Sequence, residues 1–120
     1  MLARIVGWWW RLFSRSRETL YHYVVIRRDL PFGILSANLV HAAGESSPGG
    51  LPEGTHAIVL AVPDEAALKA VAARLDLARV GFVRIVEVDT PYEGSLMALG
   101  LVPRPQKEVR RHLSSLPLLR

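Results

Sequence analysis

Residues 21–43 read Tyr21-His22-Tyr23-Val24-Val25-Ile26-Arg27-Arg28-Asp29-Leu30-Pro31-Phe32-Gly33-Ile34-Leu35-Ser36-Ala37-Asn38-Leu39-Val40-His41-Ala42-Ala43. Tyr21 to Arg27 is rich in β-branched and aromatic residues and reads as a buried strand. Asp29 to Gly33 is a turn, because Pro31 and Gly33 end the strand before a helix begins. From Ile34 to Ala43, Leu35, Leu39 and Ala42 take helical spacing on one side. Gly44 and the run to Gly50 close that helix and open a loop. A buried strand, a short turn and a helix form the opening of an alternating α/β domain.

The pattern continues outward. His56 to Val62 is a second apolar strand. Pro63-Asp64-Glu65 starts a second helix, with acids in its first turn and an apolar stripe of Leu68, Val71, Ala72 and Leu75. Phe82 to Val88 is a third strand, residues 89–94 a turn, and Ser95 to Val102 a fourth strand stopped by Pro103 and Pro105. Gln106 to His112 suits a short basic helix. The expected order is β-α-β-α-β-β-α. Strands this apolar call for a sheet covered on both faces, and a hairpin between the last two strands makes the sheet mixed.

The 120 residues fit one domain, and half of them are hydrophobic, enough for a core. Three parts are expected: a basic, Trp-rich leader over 1–20, a core domain over 21–103 and a basic tail over 104–120. The net charge of +4 is divided unevenly. Residues 1–28 carry six Arg against one Glu, residues 29–103 four basic against nine acidic residues, and residues 104–120 five basic residues against one Glu. A polyanion would therefore be held mainly by the two ends. There is no cysteine, which excludes disulfides, thiolate zinc sites and Cys nucleophiles and fits a cytoplasmic protein. The four histidines show no metal-ligand spacing, so no metal is assigned.

In the leader, the apolar run Ile5 to Trp10 is too short to span a bilayer. Trp8, Trp9 and Trp10 beside Arg4 and Arg11 suit an interfacial membrane anchor, a reading ranked below packing on the domain or an extension outside it. A homodimer is left open.

Three polar clusters stand out: Asp29 in the first turn; Asn38, His41 and Glu45 on one face of the first helix; and Glu87 and Asp89, followed by Thr90, after the third strand. Helix capping by Asp29, a core position for His41 and solvated turn acids are the ordinary uses of these residues. The clusters matter to function where the fold brings them together. If the first and third strands run parallel, Asp29 and Asp89 leave the sheet at the same end, where open α/β sheets bind ligands.

The run Val24 to Leu30, then Gly33, then Ser36 to Ala43, resembles the opening of type II peptidyl-tRNA hydrolases: a strand ending in Arg-x-Asp-Leu, a Gly turn and a helix ending in His-Ala-Ala. Glu87-Val88-Asp89 through Ala98-Leu99-Gly100-Leu101 resembles that family's acidic turn and last strand, so the likeness spans roughly residues 21–103. The resemblance implies a three-layer α/β/α sandwich on a four-stranded mixed sheet. It implies a cofactor-free, metal-free esterase that cleaves the bond between a peptide and the 3′ end of a tRNA. The catalytic candidates carried over are Asp29, Asn38, His41 and Asp89. Arg27, Arg28, Thr90 and Ser95 are the candidates for holding substrate. With no Gly-x-Ser-x-Gly elbow in the sequence, direct attack by water is the simpler chemistry. The chain departs from the family between Pro31 and Ser36, which holds no lysine where members usually place them. That departure keeps a second reading in view: a non-catalytic relative that binds RNA or a protein partner through the same surface.

Overall fold

The computed structural model describes residues 18–120, so the expectations for residues 1–17 lie outside the described residues. The elements are β1 (Leu20–Arg27), α1 (Phe32–Ser46), β2 (His56–Val62), α2 (Glu65–Leu77), β3 (Phe82–Val86), β4 (Leu96–Leu101), β5 (Arg104–Pro105), a 3₁₀ turn (Gln106–Glu108) and α3 (Arg110–Leu113). This is a mixed α/β fold. The sheet order is β2-β1-β4-β3, with the short β5 added to β1. β1 and β2 are parallel, while β4 is antiparallel to both β1 and β3. β1 and β3 therefore point the same way, and the residues that follow them emerge at the same end of the sheet.

β1 is central because its side chains are apolar on both faces. Val25 and Ile26 are fully buried. Tyr23 and Val25 pack with Leu68, Val71 and Leu75 of α2, whereas Val24 and Ile26 pack with Leu35 and Ala42 of α1. Each buried Val, Leu or Ile side chain contributes about 1.5–3 kcal/mol by leaving water. α2 begins where its sequence says: Asp64 accepts the Ala67 N–H at 2.9 Å as N-cap, and all four residues of the expected stripe are buried.

α1 does not stop at Ala43. It runs through Gly44 to Ser46, because a polar contact at its end outweighs the glycine signal. The Ser46 hydroxyl donates to the Ala42 carbonyl at 2.6 Å. With its one hydrogen committed, that oxygen accepts from Nε2–H of buried His22 at 2.7 Å. The turn lies so close to β4 that a Cβ on Gly100 would stand 2.3 Å from the Ala42 oxygen. Only glycine fits there.

β3 is shorter than the expected strand. The pairing shifts at Ile85/Val86, and the Glu87 carboxylate then accepts the N–H groups of Val88 and Asp89 at 2.9 and 3.2 Å, turning the chain out of the sheet. β4 also closes one residue inside the expected limit at each end. The chain beyond Pro103 joins the same core. Val109 and Leu113 are buried against the α2 side. The Ala61 N–H reaches Pro117 O at 2.9 Å and the Leu119 N–H reaches Val59 O at 3.0 Å, covering the outer edge of β2. Leu20, grouped with the leader on sequence grounds, opens β1.

Candidate functional site

α1 and β3 border a cleft of about 560 Å³, within the range of about 300–1,000 Å³ common for ligand sites. From α1 it takes Asn38, His41 and Glu45, which the helical repeat sets on one face. From the end of β3 and its turn it takes Arg84, Glu87 and Asp89. Asn38 is 6% exposed, and its Nδ2 donates to Ile34 O at 2.9 Å. Its Oδ1 has no partner among the described residues. His41, Glu45 and Asp89 are exposed. The Arg84 guanidinium turns away, pairing with Asp76 of α2 and lying over the Phe82 ring. The cleft thus presents an amide, an imidazole and three carboxylates. Among the described residues no group of His, Asp and Glu is placed to hold a metal ion.

Asp29 is not in this cleft. It leaves the sheet at the same end as Asp89, but its carboxylate is held by Arg27 through two bonds, Nε–Oδ1 at 2.7 Å and Nη2–Oδ2 at 2.8 Å. That hydrogen-bonded guanidinium holds the Asp29 carboxyl below its usual range. α1 makes no side-chain cap, so Asp29 is not its cap either. Arg27 also donates to Leu96 O at 3.3 Å, while Glu65 accepts the Leu96 N–H at 2.7 Å. Glu65 is likewise held low, chiefly by that backbone bond. The pair lies with α2, because odd-numbered β1 residues face α2 and even-numbered ones face α1.

The other substrate candidates also fall outside the cleft lining. Arg28 is exposed and gives its N–H to Val62 O at 2.8 Å. Thr90 is exposed in the turn. Ser95 closes the turn with its backbone, donating to Tyr92 O at 2.8 Å and accepting from the Glu87 N–H at 3.0 Å. Glu45 and Glu87 belong to the polar clusters of the sequence but not to its site candidates, and both line the cleft. The spacing of Asn38, His41 and Glu45 was the signal for the first. No sequence signal marked the buried His22–Ser46 contact, which depends on helix and strand meeting 24 positions apart.

No family model matches the chain, and no curated protein does. Among solved structures, a protein of unknown function from Agrobacterium tumefaciens is similar, with a TM-score of 0.53 and 16% identity over 84% of this chain and 98% of that one. At that identity the likeness concerns the fold alone.

Proposed function

We propose that the α1–β3 cleft is the site of a carboxylic ester hydrolase of the peptidyl-tRNA hydrolase type, acting in the cytoplasm on the bond between a peptide and a tRNA 3′ end. In this reading the two helices clad the mixed sheet as a three-layer sandwich. One observation carries it: Asn38, His41 and Asp89, apart in sequence, line one cleft. Asp89, exposed in the turn, is the group to orient and deprotonate a water. Asn38 offers the second hydrogen of Nδ2 to position the ester carbonyl, and His41 a proton for the leaving oxygen. Asp29 acts through Arg27 on the frame and not on the substrate.

A second reading is favoured by charge. Among the described residues the cleft wall carries three acids, and its one arginine is spent on Asp76. That suits a non-catalytic relative holding a protein partner better than one holding RNA phosphates. Release of N-acetyl-aminoacyl-tRNA into its two parts separates the readings. Turnover by wild type, lost in Asp89→Asn and His41→Ala without loss of folding, supports the esterase. Absence of turnover in the folded wild type overturns it.

A further inference from the structure

We infer that the cleft takes an extended, basic peptide that adds as a strand to the outer edge of β3. The inference rests on the cleft being the functional site, and not on any bond being cleaved there.

β3 ends the sheet, and among the described residues no segment pairs with its far side. The Val102 N–H donates to Gly81 O, which fixes the phase of the pairing. Antiparallel hydrogen bonding alternates, so Val83 and Ile85 direct their peptide groups to β4 while Phe82 and Arg84 direct theirs outward. Of these outward groups, those of Arg84 front the cleft, whose lining runs on to Asp89. Such an edge is a template for a further strand. Edges are commonly guarded by lysine, proline or a covering segment. β2 has its cover in residues 117–119, whereas β3 reads Phe-Val-Arg-Ile-Val and its arginine is folded onto Asp76.

Acids on both sides of the cleft set the chemistry of the occupant: Glu45 on α1, and Glu87 and Asp89 where the chain leaves β3. Glu45, Glu87 and Asp89 have no cationic partner among the described residues. Carboxylates gathered on one concave surface attract positive charge and repel a phosphate chain. Asn38 is nine-tenths buried on the α1 wall beside Glu45, with Oδ1 free of partners among the described residues. An incoming amide or guanidinium N–H satisfies that acceptor. Val88, 77% exposed at the mouth, gives an apolar contact for an alternating strand. Side chains of an added strand alternate in direction, so every second one faces α1, where a Lys or Arg meets Glu45, with Glu87 and Asp89 at the end of β3 lining the same cleft.

The test uses the full-length chain and a fluorescein-labelled Val-Arg-Val-Arg-Val-Arg peptide, read by anisotropy. The basic peptide is expected to bind, and its Val-Glu counterpart to bind about tenfold weaker or not at all. N-methylation of alternate amides is expected to cost about tenfold, the loss of one or two hydrogen bonds. Glu45→Gln is expected to weaken binding severalfold. No binding of the basic peptide overturns the inference, as does equal binding of the methylated one. A dimer in sedimentation that Val86→Pro dissociates also overturns it, by placing a second copy on the edge. Turnover of N-acetyl-aminoacyl-tRNA is measured on the same samples. Turnover without peptide binding removes this inference alone; peptide binding without turnover removes the esterase alone.

Discussion

Arg27 and Asp29 are joined by two parallel hydrogen bonds, 2.7 and 2.8 Å long, and the same guanidinium reaches Leu96 O across the end of the sheet. Leu96 follows the turn that carries Asp89, and its N–H is taken by Glu65. Both peptide groups of that residue are thus tied to side chains. A motif that resembles a catalytic signature in sequence works in the fold as a clamp on the loop.

Asp29→Asn therefore acts on stability first. It leaves a mostly buried guanidinium with weaker partners. Charged hydrogen bonds contribute about 1.5–3 kcal/mol, and the partial exposure of Asp29 reduces the effect to about 1–2 kcal/mol. At about 4–8 °C per kcal/mol for a domain of this size, a Tm drop of several degrees is expected in a calorimetric scan. Abolished peptidyl-tRNA turnover at unchanged Tm would instead place Asp29 at the reacting bond.

Gly100→Ala tests the close approach of α1 to β4. The new methyl would meet the Ala42 oxygen at 2.3 Å and the Ser46 hydroxyl at 2.6 Å. The first is helix backbone and has nowhere to go. Overpacking of this kind costs about 1–3 kcal/mol, occasionally more. Urea unfolding should show a lowered midpoint with little change in slope. A midpoint equal to wild type would mean that the helix end does not sit where Ala42 and Ser46 place it.

Much of this frame is legible in the sequence, because periodicity and turn chemistry act locally. His56–Val62 is a strand at both stated limits, and the stripe of α2 is its buried face. The end of α1 was not legible. Gly44 signals a stop, but the contact that prolongs the helix comes from His22 on another element. β3 read too long because Val88 continues the apolar pattern, while the turn is made by the Glu87 carboxylate bonding its own backbone. Asn38, His41 and Asp89 could be placed on one cleft from strand direction and helix phase. Asp29, expected in the same cleft, lies outside it, because which face of β1 takes Arg27 is settled only by the packing of α2.

His22 makes stability depend on pH above the carboxylate range. Burial lowers its pKa from 6.5. The folded state keeps it neutral with Nε2–H on Ser46, while the unfolded chain takes up a proton as the pH falls through 6.5. The unfolded state then binds more protons, so stability falls on acidification, and the loss continues until the pH passes the folded pKa. Asp29 and Glu65, both held low in the fold, add losses of the same sign at lower pH, below their unfolded values of 3.8 and 4.5. Urea midpoints should decline from pH 7.5 to pH 5, and His22→Gln should flatten that decline. An equal decline in wild type and variant would remove His22 as its cause.

The C-terminal segment offers the sharpest separation between composition and role. Residues 104–120 are basic and carry Pro105 and Pro117, the composition of a solvated tail. Yet Val109 is fully buried and Leu113 is 3% exposed, both packed with Tyr23, Leu60 and Leu99. β5 pairs Pro105 and Arg104 with Leu20 and Tyr21, and Gln106 Nε2 donates to the Tyr23 hydroxyl at 3.0 Å. Residues 117–119 also supply the bonds that close the edge of β2. Leu113→Ala empties part of this contact, and removal of a buried leucine side chain costs about 2–5 kcal/mol. A small domain holds only about 5–15 kcal/mol in total, so that loss is a large share. Ending the chain at Pro103 removes both anchors and exposes the β2 edge together. The shortened protein is expected to unfold or aggregate, where a true tail would leave it intact. Hydrogen exchange gives the finer measurement: in Leu113→Ala, the amides of Ala61 and Leu119 should lose protection ahead of those in the centre of β1. Protection unchanged at Ala61, with a wild-type midpoint, would show that the segment rests on the domain without holding it together.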